Sequence, residues 1–165
     1  TTANAIRLSL VGSEMCIRDR VSNEAIDCTF ILLYFPNPPG SKAERANFIF
    51  AADAMLQWCK QLFYSLPQRT NISVLTDAND NWIGSCQHHC IGPHANGSKS
   101  GHVATKLLDF MMICKLSVVD SFFRTQPTYY GTRQGVASSP DHILMQTGVL
   151  NLVVDAKVYL HSGIQ

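Results

Sequence analysis

The chain has 165 residues, 13 Lys and Arg against 12 Asp and Glu, a formal net charge of +1 and 46% hydrophobic residues. This length suits one domain whose core can fold without disulfide or metal cross-links. Charged residues make up only 15% of the chain, which excludes a disordered protein and a charged coiled coil. The near-neutral charge gives no electrostatic footprint for nucleic acid, and the absence of an apolar run of 18 residues predicts no membrane span.

Residues 1–20 are atypical of the start of a domain. The string Glu-Met-Cys-Ile-Arg-Asp at residues 14–19 resembles the translated end of a transposase-based sequencing adapter. We therefore expect residues 1–20 to be an adapter-derived or disordered tail, and residues 21–165 to form the domain. Five cysteines remain outside this tail, mostly in apolar surroundings and without a secretory signal. They predict reduced thiols of an intracellular protein, nuclear or cytoplasmic.

The first half of the domain predicts a strand, a helix and a second strand. Residues 26–35 form an apolar run that ends at a proline-rich loop, which is typical of a buried strand. Ser41 and Glu44 have capping-box spacing, and apolar residues then recur at helical spacing to about Leu66, before Pro67. Residues 71–76 form the second apolar strand.

The second half begins with a long irregular stretch that reaches about Ser100, a length typical of a functional loop. A helix is predicted over roughly 102–115, and strands are predicted around residues 118–123, 129–130, 143–145 and 152–154. Because strands and helices alternate, the sequence predicts an α/β or α+β domain with a mostly buried sheet.

Polar residues at the ends of the predicted strands are the first candidates for a site. Asp77 and Asn79 are two residues apart on an extended chain, so their side chains point the same way. Asp77 suits the orientation or deprotonation of a water molecule, and Asn79 suits donation to a phosphate oxygen. The competing interpretation is an Asx-turn that closes the strand.

Two further strand ends carry candidates. The Tyr34 hydroxyl can reach a phosphate, or it can simply cap the core with its hydroxyl in water. Asp141 precedes His142 after Ser138-Ser139-Pro140, and an Asp beside a sheet can fix the tautomer of a catalytic His. A strand-entry turn favoured by Pro140 is the alternative.

The segment from Cys86 to Cys90 is a weaker candidate for zinc. Two thiols and several imidazoles lie within 17 residues, and Cys86-x-x-x-Cys90 fits the first half of a zinc motif. His94 and His102 do not have the spacing of the second half. A polar loop with neutral histidines is the alternative.

Four short motifs occur in order along the chain: Tyr34-x-Pro36, Asp77-x-Asn79, a helix ending in Lys115-Leu116, and Ser138-x-x-Asp141-x-Ile143-Leu144. This succession resembles the endonuclease/exonuclease/phosphatase superfamily. It is most similar to the endonuclease domains of non-LTR retrotransposons and to craniofacial-development-protein-like sequences. The resemblance covers about residues 25–160, and it implies an α+β, DNase I-like fold, a partial four-layer αββα sandwich lacking its N-terminal strands and its C-terminal end.

The resemblance also implies Mg²⁺-dependent phosphodiester hydrolysis on nucleic acid, without a membrane partner. In this resemblance Asp77 orients or activates the attacking water, and Asn79 and Tyr34 contact the phosphate. Asp141 sets the orientation of a histidine. That histidine, in a Ser-Asp-His motif, and the metal-binding Glu lie outside this sequence, so no metal ligand is assigned in it. Thr76 also stands where the family has Gly.

We therefore expect a fragment with little or no nuclease activity by itself, and an exposed sheet edge and apolar face. A non-catalytic remnant of a mobile-element protein remains the main alternative. A zinc-stabilised binding module is a third possibility.

Overall fold

The computed structural model describes residues 16–80, 89–95, 101–131 and 137–158. In chain order they are β1 (Cys16–Ser22), β2 (Asp27–Tyr34), α1 (Lys42–Ser65), β3 (Asn71–Asp77), α2 (His102–Cys114), β4 (Leu116–Val118), β5 (Tyr129–Tyr130), β6 (Ala137–Ser138) and β7 (Asp141–Gln146). Two 3-10 helices, Val119–Phe122 and Thr147–Leu152, follow β4 and β7.

The main sheet has five strands in the order β1-β2-β3-β7-β4. Only β2 and β3 are parallel within it, and the other neighbours are antiparallel. Parallel neighbours need a long crossover connection, which the 24-residue helix α1 supplies. Strands β5 and β6 form a separate two-stranded ribbon.

Both predicted helices are confirmed, and the capping box is present at the start of α1. The Glu44 backbone N–H donates to Ser41 Oγ at 3.4 Å, and the Ser41 hydroxyl donates to Glu44 Oε2 at 2.9 Å. Helix α2 ends at Cys114, and the following residue, Lys115, closes the last turn with a φ of 54°. In the part of the chain described, neither helix has the length and apolar character needed to cross a membrane.

One face of the sheet packs against the two helices. Alternate strand residues are buried there with the inward faces of α1 and α2, as a half-covered sheet requires; examples are Ile31, Val74, Leu144, Leu56 and Leu107. The alternation shows a sheet that is buried on one face, where the sequence predicted a mostly buried sheet. It also supplies one α layer and one β layer of the expected αββα sandwich.

The opposite face of the sheet carries a row of exposed apolar side chains. The strand register places Ile17, Leu32, Leu75 and Ile143 side by side across four strands. These side chains are 56%, 40%, 37% and 40% exposed. Such a contiguous apolar surface is unusual on a monomeric domain, and the predicted open apolar face is therefore confirmed.

Two strand predictions are wrong. Residues 152–154 are not a strand, because Leu152 ends a 3-10 helix that the Val153 N–H closes onto the Leu150 carbonyl, and no neighbouring strand pairs with them. In residues 118–123 only Val118 is in a strand. The chain then turns tightly, and the Asp120 carbonyl accepts the Phe123 N–H at 3.2 Å.

Strand β1 was not anticipated, since Cys16–Ser22 lies largely within the predicted tail. It pairs along its full length with β2 and forms one edge of the sheet. The adapter origin of residues 1–20 stays a prediction about the nucleotide sequence, which strand geometry does not address.

The cysteines match the prediction of reduced thiols where they are described. Cys16, Cys28, Cys59 and Cys114 are thiols. Burial raises the pKa of Cys16 and of Cys114 to about 11, and it raises the pKa of Cys59 far above its ordinary value. These three thiols therefore stay protonated and unreactive at neutral pH.

Candidate functional site

Three of the four predicted site residues lie in one row at the end of the sheet. In the parallel register Tyr34, the last residue of β2, lies opposite Asp77, the last residue of β3. In the antiparallel register Asp77 lies opposite Asp141, the first residue of β7. Because residues in register point to the same face, the three side chains all emerge on the open face.

Backbone hydrogen bonds hold these strand ends together. The Phe35 N–H donates to the Asp77 carbonyl at 2.9 Å, and the Ala78 N–H donates to the Pro140 carbonyl at 2.7 Å. The row is thus fixed at both sides of Asp77 by main-chain contacts that do not depend on its side chain. This rigidity is what a preorganised polar site needs.

Asn79 extends the row from the loop after β3. Its backbone has a φ of 45°, a conformation that Asn tolerates better than most residues. Its side-chain Nδ2 donates to the Phe35 carbonyl at 2.7 Å, and its backbone N–H donates to Asp77 Oδ1 at 3.1 Å. The second of these contacts is an Asx-turn, so the competing interpretation of this motif is structurally correct. It does not exclude a site, because the Nδ2 group carries a second hydrogen.

The surroundings of Asp77 raise the pKa of its carboxyl group. Burial is the largest cause, and the nearby Asp141 carboxylate adds to it. The Asn79 N–H and His142 act in the opposite direction. A carboxylate whose pKa is raised is a better proton acceptor for a water molecule than an ordinary Asp.

His142 has a partner that sequence reasoning missed. Its Nδ1 lies 2.8 Å from Asp120 Oδ2, and its side chain is only 3% exposed. Adjacent strand residues point to opposite faces, so Asp141 does not orient this ring. The only hint of this contact in the sequence is Asp120 itself, a single carboxylate between two apolar runs.

The loop after β3 is also tied to helix α2. Asp80 Oδ1 accepts the Gly101 N–H at 3.0 Å, and Asp80 Oδ2 accepts the Ala104 N–H at 2.9 Å. A carboxylate in this position satisfies amide groups of the first helical turn and favours the helix dipole. Asp80 therefore connects the loop that carries Asn79 to the helix layer.

A cleft of about 740 Å³ opens above the row. Its polar lining residues include Tyr34, Asp77 and Asp141 at the strand ends, Asp120 in the 3-10 helix that follows β4, and Lys157 near the end of the described chain. Apolar residues of the open face, including Leu32 and Ile143, line the rest. An apolar cleft with a few converging polar groups is the usual form of a binding site.

The residues described here do not complete a metal site. Among them, no three His, Cys, Asp or Glu side chains come close enough to hold an ion. One oxygen of Asp77 already accepts a backbone N–H.

The zinc candidate lies partly outside the described residues, which include neither Cys86 nor His88. Cys90 is 1% exposed within the core cluster. His102 Nε2 lies 2.9 Å from Asp53 Oδ1 on the surface. These two candidate ligands thus occupy separate environments.

No protein-family model matches the sequence, and no curated protein is significantly similar to it. Solved structures do match. One is the endonuclease domain of TRAS1, a telomere-specific non-LTR retrotransposon, with a TM-score of 0.58 and 17% identity, over 91% of this chain and 58% of that one.

An AP endonuclease from Archaeoglobus fulgidus is also similar, with a TM-score of 0.53 and 12% identity, over 83% of this chain and 54% of the other. Both are DNase I-like endonucleases, so the chain has the DNase I-like fold and the predicted fold class is confirmed. The chain spans less than two thirds of the length of either structure. At these identities the likeness concerns the fold alone.

Proposed function

We propose that the chain is part of a metal-dependent phosphodiesterase of the endonuclease type, which acts on nucleic acid and has little or no activity by itself. The observation that carries the proposal is the row of Tyr34, Asp77 and Asp141, with Asn79 fixed beside it. The DNase I-like fold supports it, since the neighbours in fold are endonucleases.

Each residue of the row has a role that fits its environment. Asp77, with its raised pKa, orients and deprotonates the attacking water. Asn79 donates its remaining amide hydrogen to a phosphate oxygen without adding charge. The half-exposed Tyr34 hydroxyl contacts the phosphate or the leaving oxygen, and Asp141 orients a histidine from outside this sequence.

The cofactor of this reaction is proposed to be Mg²⁺, with the family's glutamate as its ligand. When bound, the ion would polarise the phosphate and stabilise the leaving oxygen. The sequence printed here holds neither that glutamate nor the Ser-Asp-His motif of the family. This is the reason for expecting little hydrolysis from these residues alone.

Binding of a fluorescein-labelled DNA duplex, followed by anisotropy, tests the site without requiring hydrolysis. Asn79→Ala should weaken binding by roughly ten- to a hundredfold, because a hydrogen bond to a charged group contributes about 1.5–3 kcal/mol. Asp77→Asn should strengthen binding, because it removes a negative charge that faces the phosphates. Asp109→Asn, an exposed carboxylate on α2, is the matched control and should change nothing.

Two results would count against this proposal. If the full chain shows no measurable binding of the duplex, the proposal that it acts on nucleic acid is rejected. If Asp77→Asn and Asp109→Asn change the binding affinity equally, the proposed location of the site is rejected. A plasmid-nicking assay with Mg²⁺ tests the activity separately: nicking that Asp77→Ala abolishes would show that the chain is active alone.

One observation favours the alternative of a non-catalytic remnant. Thr76 stands directly before Asp77, and its Oγ1 is buried and has no hydrogen-bond partner among the described residues. A buried hydroxyl without a partner is costly, so this position is not optimised for stability. The remnant hypothesis predicts that the Asp77 and Asp109 variants bind the duplex equally.

A further inference from the structure

We propose that Lys157 binds a phosphate of the nucleic acid other than the one held at the strand ends, and that Asp155 competes with this phosphate for it. The inference rests on the proposed function, because it concerns the same cleft. Lys157 belongs to none of the four motifs of the resemblance. It lies after the 3-10 helix Thr147–Leu152, in a segment without regular secondary structure.

The segment that carries Lys157 borders the cleft. Residues 153 and 155–158 line the same space as the row of Tyr34, Asp77 and Asp141. The volume of this cleft, about 740 Å³, lies in the upper part of the range of roughly 300–1,000 Å³ found for ligand sites. It therefore accommodates more than a single phosphate group, and a strand bound at the row would extend past other lining residues.

The described residues that line the cleft carry an excess of negative charge. Four of them are carboxylates, Asp77, Asp120, Asp141 and Asp155, and Lys157 is the only lysine or arginine among them. A nucleic acid strand carries one negative charge per nucleotide, so its binding brings several phosphates to a largely acidic surface. Within this part of the lining, Lys157 is the lysine or arginine that can bind one of them.

The ion pair between Lys157 Nζ and Asp155 Oδ2 leaves Lys157 available to a phosphate. The Lys157 side chain is 60% exposed and that of Asp155 is 47% exposed, and ion pairs this exposed contribute little to stability. A lysine ammonium group has three donor hydrogens on a flexible four-carbon stem. It can therefore bind a phosphate oxygen instead of the Asp155 carboxylate, or in addition to it.

The two members of this pair should have opposite effects on binding. Lys157 attracts the phosphate, whereas the Asp155 carboxylate competes for the ammonium group and repels the phosphate. An ion pair with a purely structural role would behave differently, because its loss from either side removes the same contact. Opposite effects of Lys157→Gln and Asp155→Asn on affinity thus identify a phosphate contact.

The salt dependence of duplex binding by the full chain, followed by fluorescein anisotropy, tests the inference. Lys157→Gln should reduce the slope of log affinity against log salt concentration by about 0.9, because one phosphate contact no longer releases a counterion. Between about 50 and 200 mM salt its affinity should therefore fall roughly threefold less than that of the original chain. Lys157→Arg should keep the original slope, and Asp155→Asn should strengthen binding.

Lys106→Gln is the matched control. Lys106 is exposed on α2, in the helix layer that covers the other face of the sheet, so this change should leave both slope and affinity unchanged. An unchanged slope in Lys157→Gln, or equal changes in the Lys157 and Lys106 variants, would overturn the inference. Weaker binding by Asp155→Asn would overturn it as well.

The same assay separates this inference from the proposed function. If Asn79→Ala weakens binding and Lys157→Gln does not change the slope, the proposed function stands and the inference is wrong. If only Lys157→Gln has an effect, the phosphate contact stands and the proposed role of Asn79 is wrong. If the full chain binds no duplex, the proposed function is rejected and the inference is rejected with it.

Discussion

Asp77 and Asp141 lie opposite each other where β3 ends and β7 begins, so two carboxylates share one end of the sheet. They are 64 positions apart in the chain, and only the antiparallel register brings them together. The Ala78–Pro140 hydrogen bond keeps their backbones in place. The pair is the electrostatic centre of the site, and the ionisation of one member depends on the other.

Asp141→Asn should lower the pKa of Asp77, because it removes one of the two causes that raise it. A raised folded-state pKa means that stability is lost as the pH rises from about 4 through the raised value. The variant should therefore lose less stability than the original chain over this window. NMR titration of Asp77 and urea unfolding at several pH values measure both effects. Asp109→Asn is the control, and an Asp77 pKa that rises or stays constant contradicts the prediction.

Thr76→Val should stabilise the chain by about 1 kcal/mol, because it replaces a buried hydroxyl without a partner by a methyl group of similar shape. Thr29→Val is the matched control. Its hydroxyl lies 3.2 Å from the Thr70 hydroxyl in the core, so this change should destabilise the chain. Thermal unfolding gives both values, and equal effects of the two substitutions would refute the assignment.

Asn79→Ala should destabilise the chain by about 2 kcal/mol. About half comes from the lost hydrogen bond to the Phe35 carbonyl and about half from the left-handed backbone at φ 45°. Asn79→Gly loses the bond but suits the backbone, so it should cost only about 1 kcal/mol. The control is Asn47→Ala, at an exposed position on α1. Its free energy of unfolding should lie within about 0.5 kcal/mol of that of the original chain. A larger loss for Gly than for Ala would contradict this explanation.

The open face should make the chain self-associate. The triple variant Leu32→Thr, Leu75→Thr, Ile143→Thr should reduce association in sedimentation velocity and reduce binding of a hydrophobic dye, because it removes most of an exposed apolar row. Phe50→Thr is the control, since Phe50 is 76% exposed on α1 and away from this face. If the original chain is monomeric, unfolds in a sharp cooperative transition and binds no dye, the prediction that this face drives self-association is wrong.

The elements with strong periodicity were predictable from the sequence. Helix α1 and strand β3 have clear apolar spacing and recognisable ends, such as Ser41 and Pro67, and the structure gives them nearly the predicted bounds. The apolar groups 118–123 and 152–154 misled the prediction, because a short apolar run does not reveal whether a partner strand is available. In both segments a tight turn, at Asp120 and at Leu150, replaces the predicted strand.

The candidate site residues and their position at strand ends could be predicted from the sequence, but their electrostatic environment could not. Tyr34, Asp77 and Asp141 all stand at strand ends, so their candidacy follows from local sequence. The contact of Asp120 with His142 spans 22 positions and joins a 3-10 helix to a strand. Long-range contacts of this kind depend on the packing of the whole sheet, which local spacing does not encode.

The central claim is that the end of the sheet faces a phosphodiester, and chemical-shift mapping tests it most directly. Titration of a short DNA duplex into isotope-labelled chain should perturb the amide signals at Phe35, Asp77, Asn79 and Asp141 first, and Asn79→Ala should reduce these changes. Perturbations confined to other surfaces, such as the exposed side of α1, or no perturbation at all, would contradict the account.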